Sequence, residues 1–228
     1  MTDSDFIKYA DRMNQLPPYL FGMINKMKTE KRRRGDDVID LGMGNPTDPT
    51  PDIVTEKLRE VASDPKSHRY PIAGGMKNLK RELALKYQRD YGVELDRDSE
   101  VIFTIGSKEG ISHLCLAMLG HGDTAIVPSP FFPVHVYAAI IADASVITVP
   151  FLSEEHFIGK LNDIYESHVK KPKFVMLNYP HNPTGALVSR DFFKEIVKLA
   201  KKHEFMVVND FAYGKIVFDG KIAPSFLE

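Results

Sequence analysis

A chain of 228 residues, 43% of them hydrophobic, has the apolar material for one large core or two small ones, which excludes global disorder. A net charge of −1 argues against nucleic acid or an anionic membrane as the main partner. One cysteine, Cys115, allows neither a disulfide framework nor a cysteine-based zinc site, and no run is apolar and long enough for a signal or a membrane span, so a cytoplasmic protein is expected.

Residues 1–45 read as an N-terminal arm: Leu16-Pro17-Pro18 extended, a helix from Tyr19 to Arg34, and a short strand at 38–41. The basic run Lys31-Arg32-Arg33-Arg34 sits just before Gly35, where cations complement the carbonyl end of a helix. From residue 46 onward the pattern alternates. Helices are expected at 52–62 and 76–91, a strand at 101–104, a helix at 108–119, a strand at 124–127 and a helix at 133–142. Strands at 145–149 and 174–178, a helix at 190–203 and a strand at 206–209 follow. Val/Ile-rich strands with little polar alternation predict a mostly parallel sheet covered on both faces, a three-layer α/β/α domain over 46–228.

Four of these strands end in polar or aromatic groups, and in a parallel sheet such ends converge on one rim. Ser107 and Lys108 open a helix after Gly106, offering amides, a hydroxyl and an ammonium to a phosphate; Ser107 as a simple helix cap is the alternative. Phe132 is either a ring that stacks on a flat ligand or a core aromatic. Asn182, in Asn178-Tyr-Pro-His-Asn-Pro-Thr-Gly185, either donates to a phenolate-type oxygen or closes the turn. Asp210 follows the apolar run 205–208 and calls for a cationic partner such as a protonated ring nitrogen, unless it caps a turn. Tyr213, three residues on, would reach the same ring from another edge. Phosphate, flat ring, phenolate oxygen and protonated nitrogen together describe pyridoxal 5′-phosphate (PLP).

The stretches His181-Asn-Pro-Thr-Gly185, Asn209-Asp-Phe-Ala-Tyr-Gly-Lys-Ile216, Thr104-Ile-Gly-Ser-Lys-Glu-Gly110 and Tyr70-Pro-Ile-Ala-Gly-Gly75 resemble the class I/II aminotransferases of PLP fold type I. The likeness is to the bacterial branch with alanine and LL-diaminopimelate aminotransferases and covers nearly the whole chain in order. The resemblance implies PLP-dependent transfer of an amino group between an amino acid and a 2-oxo acid. It implies that Asp210 pairs with the pyridine nitrogen, Asn182 and Tyr213 contact the phenolic oxygen, Phe132 stacks on the ring, and Ser107 and Lys108 hold the phosphate. It further implies that Tyr70 reaches the phosphate of a neighbouring subunit in a homodimer, that the arm of residues 1–45 includes part of a small domain, and that Gly44 and Tyr19 meet the substrate. The family's Schiff-base lysine and carboxylate-gripping arginine lie beyond the segments matched here. Residues 1–228 by themselves are therefore expected to be catalytically incomplete and to expose an unfinished, aggregation-prone sheet.

Rival readings have less behind them. Gly42-Met-Gly44 lacks the third glycine of a dinucleotide fingerprint, with Thr47 in its place. Ser63-Asp-Pro-Lys66 has no companion hydrolase motif, and Pro65 breaks its helix. No pair of histidines four residues apart suggests a zinc site. A non-catalytic protein that binds PLP or dimerises is the reading that follows if Glu228 is the natural end.

Overall fold

The computed structural model describes residues 8–42, 44, 47–167 and 170–228, and their contacts divide into two units. One holds Ala73–Glu228 with the stretch ending at Leu16; the other is Pro17–Ile72. The break drawn from the sequence at residue 45 falls inside the second unit.

The second unit carries helix α1 (Leu20–Arg33), helix α2 (Asp52–Ser63) and a 3-10 turn at Pro65–Ser67. Helix α1 stops where expected. Gly35 adopts φ +87°, and the Gly35 and Asp36 amides fold back to donate to the Arg32 and Lys31 carbonyls at 3.1 and 3.2 Å. The stretch 38–41, expected as a strand, forms none. It is tied down instead by Asp40, whose carboxylate takes the Lys28 ammonium at 2.6 Å and the Gly42 amide at 3.0 Å.

The first unit has helix α3 (Lys77–Tyr91), helix α4 (Ser107–Met118), strand β1 (Thr124–Ser129), helix α5 (Pro133–Ile141), strand β2 (Ser145–Pro150) and helix α6 (Glu154–Ser167). Strand β3 (Phe174–Asn178), helix α7 (Arg190–His203) and strand β4 (Met206–Asp210) complete it. All strand pairs are parallel, in the order β2-β1-β3-β4.

Side-chain alternation explains the layering. Ala125 and Val127 of β1, with Phe174 and Met176 of β3, face a core built from Ile111 and Cys115 of α4 and Val136, Ala139 and Ile140 of α5. Ile126, Val175 and Leu177 face the opposite way, into Phe157 and Leu161 of α6 and Phe192 and Ile196 of α7. Both faces of the central strands are therefore dry, and that is why Ala125–Pro128 of β1 and Phe174–Leu177 of β3 are apolar without a break. In the first core Cys115 is fully buried, and loss of solvent pushes its thiol pKa up to about 11.

Local signals set the helix ends. Ser189 caps α7, its hydroxyl accepting the Phe192 amide at 3.0 Å, while Lys201, Lys202 and His203 occupy the last turn before Glu204 turns left-handed at φ +59°. Pro133 opens α5, where its missing N–H costs nothing. Helix α6 was not anticipated, because Gly159, Asn162 and Asp163 dilute its helical preference. The strand expected at 101–104 is absent. Val101 is buried and Ile102 exposed, as in a strand, but only one ladder-like bond forms, from the Phe103 amide to the Gly74 carbonyl at 3.2 Å.

Phe157 is fully buried and packs on Phe151 and Phe192 at centroid distances of 5.6 and 6.1 Å. Phe157→Ala is expected to lower the unfolding free energy of the full-length protein by about 3–5 kcal/mol, measured by urea denaturation.

Candidate active site

The strand order reverses between β1 and β3, since the chain moves outward to β2 and then returns to build β3 and β4 on the other side. Such a switch opens a crevice at the carboxyl ends of the strands. Ser129, Asn178 and Asp210, the last residues of β1, β3 and β4, end on that rim, with Asn178 directly opposite Asp210.

Asp210 is the charged centre of the rim. Its side chain is only 7% exposed, and its Oδ2 lies 3.0 Å from Nε2 of His135, itself 2% exposed in the first turn of α5. The other oxygen, Oδ1, accepts the Ala212 amide at 3.2 Å, so Asp210 also closes the turn after β4. Of the two possibilities raised by the sequence, the turn contact is the one this carboxylate makes within the chain. Each oxygen has two lone pairs, which leaves acceptor capacity for a further N–H donor.

Asn178 stitches the neighbouring strand to this turn. Its Nδ2 donates to the Asp210 carbonyl at 2.8 Å, and its Oδ1 accepts the Asn182 amide at 2.9 Å. The Asn182 side chain then donates to the Tyr213 hydroxyl at 3.3 Å, bringing together two residues 31 positions apart. His181 fastens the same turn. One ring nitrogen is 2.7 Å from the Thr184 hydroxyl and the ring also bonds to the Pro130 carbonyl beyond β1. Burial holds the His181 pKa below its ordinary value of 6.5.

Phe132, half-buried between β1 and α5, meets the His135 ring edge-on at 5.8 Å. The Lys108 ammonium stands 5.1 Å from the Phe132 ring centre, so the start of α4 is brought to this end of the rim. Ser107 is the first helical residue and does not cap α4; Gly106, at φ +89°, holds that position. Ser107 and Lys108 are exposed, and the first-turn amides of α4 are a group that could hold an anion. The chain's residues therefore offer a cation and amides at one end, an aromatic face in the middle, and a buried acid with an Asn–Tyr pair at the other. That donor set matches a ring with an acidic N–H, a phenolic oxygen and a phosphate.

A cleft of about 670 Å³ runs beside the turn at 180–183, past Asn182 and Tyr213 to Phe218 and Lys221. Neither Asp210 nor Phe132 lines it, so it adjoins the site on the side of the Asn182–Tyr213 pair. Tyr19, Gly44 and Tyr70 belong to the second unit, where Tyr70 is 97% exposed and Tyr19 packs on Phe21 at 5.8 Å.

Three residues of this region make contacts that the sequence reading did not foresee. Lys215 lies in the turn after β4 and is held by Asp90 of α3 at 3.0 Å. His135 was overlooked, although a histidine one turn into an apolar helix needs a polar partner and so signals one. Asn178, at the end of β3, escaped for want of any local motif.

A parallel sheet whose strand order reverses between β1 and β3 defines a doubly wound α/β protein. Residues 36–228 match the family "Aminotransferase class I and II", and the chain belongs to that family. It is 45% identical, over its whole length and 55% of the relative's, to the glutamate-pyruvate aminotransferase AlaC of Escherichia coli K12. It is 42% identical over 98% of its length to the LL-diaminopimelate aminotransferase of Syntrophobacter fumaroxidans, covering 57% of that protein. Among solved structures, substrate-bound BacF from Bacillus subtilis superposes with a TM-score of 0.84 at 32% identity, covering 97% of this chain and 56% of that one. The chain thus spans a little over half the length of the relatives it matches.

A histidine whose pKa is lowered by folding takes up its proton first in the unfolded state. The stability it contributes is complete above pH 6.5 and is lost as pH falls below that value. Thermal denaturation is expected to show the midpoint falling as pH drops from about 7 toward 5, with a shallower fall in His181→Gln.

Proposed function

We propose that this chain forms the cofactor-binding part of a PLP-dependent aminotransferase, which moves an amino group between an amino acid and a 2-oxo acid. The observation that carries this reading is the buried Asp210–His135 pair, set beside the Asn182–Tyr213 hydrogen bond on a switch-point rim. Family membership supports it, and the names of the relatives agree with it.

When bound, PLP supplies an electron sink that stabilises negative charge at the carbon next to the transferred nitrogen. The chain's residues make that sink effective. Asp210 keeps a proton on the ring nitrogen, because its buried carboxylate favours the cationic form of a partner. His135 holds Asp210 in place, so the acid has one orientation. Asn182 and Tyr213 donate to the phenolic oxygen and fix the tilt of the ring, while Phe132 covers one face and excludes water. Ser107, Lys108 and the start of α4 anchor the phosphate at the far end. Gly44 and Tyr19 take the substrate side. Tyr70, exposed in its own chain, reaches the phosphate of a neighbouring subunit, so the working form is a homodimer with shared sites. Among the described residues no helix is long and apolar enough to cross a membrane, in keeping with a cytoplasmic enzyme.

The covalent lysine of this reading lies outside residues 1–228. Full-length protein incubated with PLP, reduced with borohydride and mapped by mass spectrometry is expected to carry its pyridoxyl group there. A pyridoxyl group on Lys108, Lys215 or Lys221 would overturn that assignment. Asp210→Asn is expected to lower transaminase kcat about 100-fold or more, because the ring nitrogen then loses the charge that keeps it protonated. Activity within a few-fold of wild type would remove Asp210 from its role.

A further inference from the structure

Tyr213 sits on a short turn that leaves the end of β4, and the Asn182 bond at 3.3 Å holds only its hydroxyl. The turn itself is tight. The Gly214 amide donates to the Phe211 carbonyl at 3.0 Å, and the Ile216 amide to the Tyr213 carbonyl at 2.8 Å. A Cβ on Gly214 would come within 2.5 Å of the Phe211 ring, so no other residue fits there without moving that ring.

Helix α3 braces this turn at its two ends. Asp90, one residue before the end of α3, has a side chain only 13% exposed and gathers three cations: Lys86 at 2.5 Å, Arg89 at 2.9 Å and Lys215 at 3.0 Å. Lys86 first, then Lys215, hold the Asp90 pKa well below the usual carboxylate range, and the bond to Asp90 raises that of Lys215. The next residue, Tyr91, completes the brace. Its ring lies 5.1 Å from the Lys215 ammonium and meets Phe211 edge-on at 5.8 Å. Both ends of the turn, Phe211 and Lys215, are thus clamped to the last two residues of one helix, with Tyr213 between them.

Lys86 and Arg89 already neutralise Asp90 from within its own helix. Neutralising the acid therefore does not require Lys215. What Lys215 adds is a tether across 125 residues to the segment that presents Tyr213. We infer that the Asp90–Lys215 ion pair, with the Tyr91–Phe211 contact, positions Tyr213 for the phenolic oxygen of the cofactor. Lys215 is a positioning residue that never touches the ligand. This deepens the reading of Tyr213 given above and rests on it.

The test is a double-mutant cycle in the full-length apoprotein, read as the Kd for added PLP from absorbance titration. Hydrogen exchange at the Gly214 and Ile216 amides, measured without cofactor, is the second readout. Lys215→Met is expected to weaken PLP binding about fivefold and to speed exchange at both amides, with Lys215→Arg restoring most of each loss. In a Tyr213→Phe background, Lys215→Met is expected to cost nothing further, because the group it positions is gone. An unchanged Kd for Lys215→Met, or an equal penalty in both backgrounds, overturns the inference, even if the melting temperature falls. Asp90→Asn, which keeps the size of the side chain, enters the same cycle should Lys215→Met not fold. A separate failure belongs to the underlying reading: if Tyr213→Phe and Asp210→Asn both bind PLP like wild type, the rim is not the cofactor site and the inference falls with it.

Discussion

Burial of both faces of β1 and β3 is the constraint from which the rest of this structure follows. A central parallel strand that turns no face to solvent must be apolar at consecutive positions, and helices must cover it above and below. The Phe174–Asn178 strand is buried throughout its length, and Phe157 and Phe192 on one side are answered by Val136 and Cys115 on the other. Polar groups have nowhere to go along such strands. They collect at the ends, and since all four strands run the same way, their carboxyl ends share one rim. The chemistry of the site is concentrated because the sheet has left it no other place.

At that rim, ordering is achieved by bonds between segments distant in the chain. Asn178 spends one side-chain end on the Asp210 carbonyl and the other on the Asn182 amide, so β3, β4 and the turn after β3 are locked as a unit. His181 ties that turn to the loop after β1 through Pro130. Asp210 is then held by His135 from α5. Asn178, His181, His135, Asn182 and Asp210 are buried or half-buried, where an unmade hydrogen bond is costly, so the network specifies one arrangement.

Much of this was legible in the sequence, and the exceptions have physical causes. The β3 strand and the α7 helix fall at the expected residues because a continuous apolar run and a Ser189 cap are strong local signals. The stretch 101–104 has the composition of a strand, but a strand exists only with a partner, and no local pattern reports whether a partner is near. Helix α6 was hidden by Gly159, although Ser153, which accepts the His156 amide at 3.1 Å, marks its start. In the site, Asp210, Asn182 and Tyr213 were suggested by motif and are neighbours. His135 and Asp90 act through contacts spanning 75 and 125 residues, which no window of sequence contains.

The buried thiol at Cys115 has a practical consequence. It is the only sulfhydryl in these 228 residues, it sits where α4 meets the sheet, and it stays protonated at neutral pH. A thiol reagent in solution has no access to it while α4 is docked and little thiolate to attack. The rate at which this one sulfur is labelled therefore measures how often α4 lifts from the sheet. The core carries its own clock for local opening, with no probe to be introduced.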